Sequence, residues 1–362
     1  MAPEEVLSQT QEWETVPSFE LEEASRDQLH KFRATFARAG ENPIAVFGED
    51  LFDVESYMSE GSPDKPINER IAAEIKDRMV YSGNEFYTTE EFDWLPASGL
   101  DRFDVVRSAK AETSAHGVFF GVMTSSQTDD SLPVAVKPCT ENPKKAYLDW
   151  LNNNLVARTG RKNFIPIGFI FDEDRAYSIT RIERGVETLD NTEWNNVLMD
   201  PESQQYEGQR EELAELGREL AGLHQDKIFH GDPQFKNIAV DPAGKIFFID
   251  WESAQFFGDN ASSQVLNKKA AHDLEILYYS AAAPEARKGV GLLSAYSPEL
   301  QWCYFNKFIL TPYLEARLEA DDSAENVEAV AETEDQIKNY VLKEFTAGSV
   351  KRYLNSQQNP KG

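Results

Sequence analysis

Cysteine and long apolar runs are both scarce in this sequence. Only 2 cysteines occur among 362 residues, Cys139 and Cys303, which excludes a disulfide scaffold and a zinc site of four thiolates. The longest apolar runs, such as FIPIGFIF, are far too short to span a bilayer. The first residues, MAPEEVLSQT, lack the basic start and apolar stretch of a secretory signal. We therefore expect a cytoplasmic protein without a membrane segment.

Positive charge is scarce as well. The chain has 36 lysines and arginines against 63 aspartates and glutamates, a net charge of −27. Nucleic acids and anionic membranes are held through basic patches, so we expect neither as a partner. Hydrophobic residues make up 41% of the chain, which is enough for a sizeable core. A chain of this length favours two lobes, or one domain with an extension.

Composition and periodicity divide the chain into four predicted parts. They are an acidic tail that we expect to be disordered, an accessory extension, a strand-rich part and a mainly helical part (residues 1–24, 25–100, 101–183 and 184–362). The extension contains predicted helices at about 26–39 and 68–80. The strand-rich part contains three short segments rich in valine and phenylalanine, then a helix at about 143–157 and two further predicted strands. The predicted fold class is therefore α+β.

The strongest chemical pattern is HGDPQFKNIAVDPAGKIFFID, residues 230–250. IAV and KIFFI are typical of two short strands, and DPAG is typical of the turn between them. A hairpin of this length returns the chain to its start, so we expect Asp250 beside Asn237. Magnesium prefers hard oxygen ligands with one or two carboxylates, which this pair supplies. Asp232 remains as a carboxylate that the metal does not need, available to orient a hydroxyl or accept its proton.

This pattern resembles the catalytic and metal-binding loops of the protein-kinase-like superfamily. The HGD form, with Gly231 where protein kinases usually have arginine, is similar to the aminoglycoside phosphotransferase and choline kinase branch. The preceding LGRELAGLHQDKIF resembles the helix that delivers the loop, and the resemblance covers about residues 100–300. It implies a bilobal protein-kinase-like fold: a five-stranded antiparallel N-lobe sheet with one helix, a mainly helical C-lobe and, in this chain, the N-terminal helical extension. It also implies ATP between the lobes and Mg²⁺ as cofactors.

The resemblance assigns roles around the catalytic loop. Asp232 would be the catalytic base or the residue that orients the acceptor hydroxyl, while Asn237 and Asp250 would hold Mg²⁺. His230 would brace the loop and take no part in proton transfer. Lys236 either neutralises charge on the transferred phosphate or is an ordinary solvated lysine.

Two further acidic residues lie close to this pattern. Asp273, in AAHDLEILYYS, resembles the aspartate that braces the catalytic loop from below. A buried carboxylate needs hydrogen-bond donors, and we expect backbone N–H groups of residues 230–232 to supply them. Glu252 lies in Asp250-Trp251-Glu252, which replaces the usual DFG, and is either a water-mediated metal contact or an exposed residue at a helix start.

The strand-rich part contains the expected phosphate-binding elements. Lys137 ends the strand VAVK, and in this family a lysine there pairs with the α- and β-phosphates of ATP. The hairpin at 112–121 would cover the phosphates, since backbone N–H groups approach a phosphate only past small side chains. Ser114, Ala115 and Gly117 are small enough, although the full GxGxxG pattern is absent.

The acid that normally pairs with the strand lysine is not obvious. Glu141 and Asp149 are the acids between Lys137 and Arg158. Glu141 follows the lysine by only four residues, and Asp149 is one methylene shorter than the usual glutamate. We favour Asp149, and Glu141 or no acid at all stay as alternatives.

Together these features predict a phosphotransferase that uses ATP and Mg²⁺ to phosphorylate a hydroxyl of a small-molecule acceptor. One alternative is a pseudokinase, a nucleotide-binding scaffold with a protein partner. Another is a protein Ser/Thr kinase, although no activation segment ending in an APE-like motif is recognisable. The acidic run at 315–335 is either the solvated face of one or two helices or the lining of a site for a cationic acceptor.

Overall fold

The structure is a computed structural model, and its described part falls into two compact units. Described are residues 29–36, 45–58, 64–79, 85–90, 100–109, 118–125, 131–139, 143–172, 175–183, 185–189, 207–282 and 298–341. Unit 1 combines residues 1–57 with 68–184, and unit 2 combines 58–67 with 185–362. The division after Arg184 lies next to the predicted boundary. Within the predicted extension, the division assigns residues 58–67 to unit 2 and the rest to unit 1.

Unit 1 contains a seven-stranded sheet. Its strands are β1 (Ala45–Phe47), β2 (Glu85–Thr89), β3 (Leu100–Ala109), β4 (Val118–Ser125), β5 (Ser131–Pro138), β6 (Ile165–Asp172) and β7 (Arg175–Arg181). Their order is β1-β2-β6-β7-β5-β4-β3, in which β1 and β2 are parallel and all other neighbours antiparallel.

The five predicted strands are present and adjacent, as β3 to β7. The predicted count of five was wrong, because β1 and β2 from the extension add to the sheet edge beside β6. A three-residue strand carries no measurable alternation, and the parallel pairing of β1 with β2 joins segments about forty residues apart. Neither feature leaves a local signal in the sequence.

Each face of this sheet is covered by a helix. Helix α1 (29–36) contributes Leu29 and Phe32 to a buried cluster that includes Val134 and Val136 of β5. Because side chains alternate along a strand, Ala135 and Lys137 lie on the other face.

Helix α4 (Pro143–Arg158) covers that second face. Its Trp150 packs on Phe169 of β6, with 5.2 Å between ring centroids. Helices α2 (Val54–Met58) and α3 (Ile67–Arg78) precede it, and α3 corresponds to the helix predicted at 68–80. Asn68 Nδ2 of α3 donates to Asn152 Oδ1 of α4 at 2.9 Å, which ties the extension to the helix on the sheet.

Unit 2 is mainly helical, as predicted. Its elements are β8 (Glu187–Thr188), α5 (Glu207–Gln225), β9 (Ile228–Phe229), β10 (Ile238–Val240), β11 (Ile246–Phe248), β12 (Gln255–Phe256), α6 (Ser263–Ala282), α7 (Pro298–Phe305), a π-helical turn (Asn306–Leu310), α8 (Thr311–Ala320) and α9 (Ala324–Val341). The acidic run at 315–335 lies on α8 and α9, and its described acidic side chains are exposed or half-buried. Among the described residues, no helix is long and apolar enough to cross a membrane.

Candidate functional site

Strand pairing holds the segment 230–250 at both ends. Before it, Phe229 of β9 pairs with Gln255 of β12, which follows the segment. Inside it, β10 and β11 form the predicted hairpin, with Ile238 opposite Phe248. The Ile249 N–H donates to the Asn237 carbonyl at 2.9 Å, so the residue before Asp250 is bonded to the backbone of Asn237.

The hairpin turn is built by Asp241. Its Oδ1 accepts the backbone N–H groups of Ala243 and Lys245, each at 2.8 Å. This is the local bonding that makes Asp-Pro-x-Gly a turn sequence. The register that returns Asp250 towards Asn237 therefore follows from a local motif.

Asp250 has a backbone conformation that is uncommon outside glycine. Its φ and ψ are 65° and 61°, in the left-handed region that aspartate tolerates better than most residues. It directly precedes the 3-10 turn Trp251–Ser253 and is half-buried. Strained backbone of this kind persists where the surrounding structure enforces it, as the two strand pairs do here.

The carboxylate of Asp232 is oriented by two amide side chains. Its Oδ2 accepts from Asn237 Nδ2 at 3.0 Å and its Oδ1 accepts from Gln234 Nε2 at 2.6 Å. Asn237 Nδ2 also donates to the Asp232 carbonyl at 2.9 Å. Among the described residues no hydrogen bond engages Asn237 Oδ1, so this amide oxygen could accept a further partner. Gln234 was not predicted, because it is a polar loop residue with no distinguishing signal in the sequence.

His230 is buried and neutral, in agreement with the structural role assigned to it. Its Nε2 lies 2.9 Å from the Ile249 carbonyl, and its Nδ1 accepts the Asp232 N–H at 3.2 Å. A carbonyl only accepts and an N–H only donates, so the ring proton is on Nε2. Burial lowers the pKa of the imidazole, which favours this neutral form.

Asp273 holds the backbone of the loop at His230 and Gly231, and the prediction of its backbone partners is confirmed. Its carboxylate accepts the N–H of His230 and the N–H of Gly231, both at 2.8 Å, and His224 Nε2 lies 3.1 Å from Oδ2. Burial alone would raise the pKa of this carboxyl. The hydrogen bond from His224 and the other donors hold the pKa below its ordinary value of 3.8.

Gly231 is required by its backbone and by its neighbours. Its φ is +79°, and a Cβ added there would lie 2.3 Å from the Ser253 carbonyl oxygen. The loop therefore has no space for any side chain at this position. This contact explains the HGD sequence in terms of the fold.

We expect Gly231→Ala to destabilise the protein by about 3 kcal/mol, because the left-handed backbone costs about 1 kcal/mol and the clash adds about 2 kcal/mol. Gly244→Ala is the matched control, since Gly244 has a φ of +80° and only an ordinary contact at 3.6 Å. It should cost about 1 kcal/mol. Urea unfolding measures both, and equal losses would contradict the packing argument.

In unit 1, Lys137 lies in register with Ser178 of β7. Ser178 Oγ donates to Asp149 Oδ2 at 2.7 Å, and Asn153 Nδ2 lies 3.3 Å from Asp149 Oδ1. The buried Asp149 carboxylate thus contacts the strand residue that is in register with Lys137, and its pairing with Lys137 stays a prediction. Ser178 was not predicted, because a cross-strand neighbour about forty residues away has no local signal.

The remaining predicted site residues divide into two groups. The phosphate-covering residues and the alternative acid lie outside the described residues (Ser114, Ala115, Gly117 and Glu141). Lys236 and Glu252 are described and half-buried, Lys236 on the 3-10 turn Phe235–Asn237 and Glu252 on the 3-10 turn Trp251–Ser253.

The segment 230–250 contains oxygen donors that could hold a metal ion. In the described part of the chain, no three His, Cys, Asp or Glu side chains are grouped to hold a metal ion. Asn237 and Asp250 offer an amide oxygen and a carboxylate, which is the sparse set of hard ligands that Mg²⁺ accepts when phosphates complete its shell.

Comparison with known protein families finds no family model that matches the chain, and none of the curated proteins matches it.

Proposed function

We propose that the protein is a phosphotransferase that uses ATP and Mg²⁺ to phosphorylate a hydroxyl of a small molecule. The observation that carries the proposal is the side-chain contact between Asp232 and Asn237, in a loop whose backbone is anchored on Asp273. A solvated surface loop has no need for a buried carboxylate that accepts its backbone amides. Phosphoryl transfer does need such rigid placement, because it depends mainly on positioning and charge.

Each loop residue has a defined task in this proposal. Asp232 accepts a hydrogen bond from the acceptor hydroxyl and takes its proton as the new P–O bond forms, while the bond to ADP breaks. Gln234 and Asn237 hold its two oxygens in place. Asn237 Oδ1 and the Asp250 carboxylate would hold Mg²⁺, which neutralises phosphate charge when bound.

The proposal extends to the fold and to unit 1. Five contiguous antiparallel strands, with α4 between the third and fourth in sequence and a mainly helical unit following, support a kinase-like fold with an added N-terminal segment. Lys137 is the proposed ligand of the α- and β-phosphates. Asp149, held by Ser178 beside that strand position, is its proposed acidic partner.

A phosphate-transfer assay tests the proposal. Purified protein is incubated with γ-labelled ATP and a panel of neutral sugars, amino sugars, alkyl-ammonium alcohols and unrelated proteins, with Mg²⁺ or with EDTA. We expect Mg²⁺-dependent label on one class of small alcohol. Label on proteins alone would indicate a protein kinase. Thermal stabilisation by ATP without transfer or hydrolysis would indicate a nucleotide-binding scaffold.

A further inference from the structure

A chain of side-chain hydrogen bonds connects the half-buried Arg317 of α8 to the buried Asp273 carboxylate. Arg317 Nη1 of α8 donates to Tyr313 Oη at 3.2 Å. Tyr313 Oη lies 2.8 Å from His224 Nδ1, and His224 Nε2 lies 3.1 Å from Asp273 Oδ2. His224, Tyr313 and Asp273 are 4%, 1% and 1% exposed, so water cannot replace these partners.

The direction of each hydrogen bond in this chain follows from its ends. Asp273 only accepts, so His224 carries its proton on Nε2. Burial lowers the pKa of His224, which keeps its Nδ1 unprotonated and in need of a donor. The Tyr313 hydroxyl is that donor, because burial raises its pKa to about 12 and the hydroxyl keeps its proton. Arg317 then donates to the Tyr313 oxygen.

Arg317, the outer end of this series of hydrogen bonds, is fixed at the junction of α8 and α9. Arg317 Nη2 lies 3.2 Å from Asn326 Oδ1, and Asn326 Nδ2 donates to the Arg317 carbonyl at 2.9 Å. The same amide group donates to the Asp321 carbonyl at 2.5 Å. These hydrogen bonds hold the Arg317 guanidinium in the position from which it donates to Tyr313.

We propose that Tyr313 is a positioning residue of the catalytic loop, which acts through His224 and Asp273. By supplying the donor for His224 Nδ1, the hydroxyl fixes the orientation of the imidazole that bonds Asp273. The oriented carboxylate then holds the N–H groups of His230 and Gly231, directly before Asp232. The catalytic meaning of this role rests on the proposed function, but the positioning itself does not.

Tyr313→Phe tests the role, because it removes one oxygen and keeps the ring packed against His224. We expect the His230 and Gly231 amide hydrogens to exchange about 10-fold faster, the effect of about 1.4 kcal/mol lost at one buried hydrogen bond. The Leu189 amide, bonded to the Ile238 carbonyl in the same unit, is the internal reference and should be unaffected. For transfer, kcat should fall about 10-fold with KM for ATP unchanged.

Tyr278→Phe is the matched control, since Tyr278 is also fully buried in unit 2 but packs with Trp302 and Phe305. The proposal would be overturned if the His230 and Gly231 amides of Tyr313→Phe exchanged as slowly as in the wild type. It would also be overturned if they exchanged equally fast in Tyr313→Phe and Tyr278→Phe. If Tyr313→Phe does not fold, Arg317→Met tests the same chain from its outer end, with a smaller acceleration expected. Absence of transfer by the wild type would refute the proposed function alone, because amide exchange still decides on Tyr313.

Discussion

Asp232→Asn is expected to lower the rate of phosphate transfer about 1,000-fold, because the variant loses the carboxylate proposed to accept the hydroxyl proton. The asparagine oxygen can still accept one of the two amide hydrogen bonds, from Gln234 or from Asn237. Asp232 is only half-buried, so the protein should keep its fold and its melting temperature within a few degrees. Thermal stabilisation by ATP with Mg²⁺ should persist, since the proposed metal ligands are unchanged.

Asp226→Asn is the control for this experiment. Asp226 is an exposed carboxylate of the same unit, six residues earlier in the chain, and its loss changes net charge by the same amount. We expect wild-type transfer from it. Full activity in Asp232→Asn would remove Asp232 from the mechanism, and equal losses in both variants would indicate a general effect of charge.

The sequence predicted those parts of the site that depend on local patterns. The Asp-Pro-x-Gly turn sets the hairpin register, and that register follows from Asp241 bonding to residues two and four positions further on. Asp273 could be predicted because a carboxylate in an apolar helix face must find donors.

The parts that could not be predicted depend on contacts between distant segments. Tyr313 lies 89 residues from His224, and in the sequence it is one tyrosine among many in a helix. Ser178 matters only because β5 and β7 are neighbours in the sheet. The same reason applies to β1 and β2, whose pairing with each other and with β6 has no counterpart in a local pattern.

Asp273→Asn is expected to destabilise the protein by about 3 kcal/mol, because it leaves buried donors without an acceptor. The substitution keeps the volume, so no cavity contributes. The asparagine oxygen can accept one loop N–H, but its NH₂ group then faces the remaining donors. A change of tautomer at His224 would relieve one of these contacts, and the other loop N–H would stay unpaired. Urea unfolding measures the loss in the free energy of unfolding. Exchange of the amide hydrogens of β10 and β11 measures the loss within unit 2.

The pH dependence of stability gives a second test of the same substitution. The folded pKa of Asp273 lies below 3.8, so its stabilisation is present above that pH and is lost as pH falls through the folded pKa. The difference in the free energy of unfolding between the wild type and Asp273→Asn should therefore become smaller below about pH 3.8.

His224 and His230 affect stability in a different pH range. Burial holds the pKa of both imidazoles below 6.5 in the folded protein, so unfolding takes up protons below that pH. The wild type and Asp273→Asn therefore both lose stability as pH falls below 6.5. Asp226→Asn should show the wild-type dependence of stability on pH, without the loss of about 3 kcal/mol expected for Asp273→Asn. An Asp273→Asn variant as stable as the wild type at every pH would mean that Asp273 does not hold the loop.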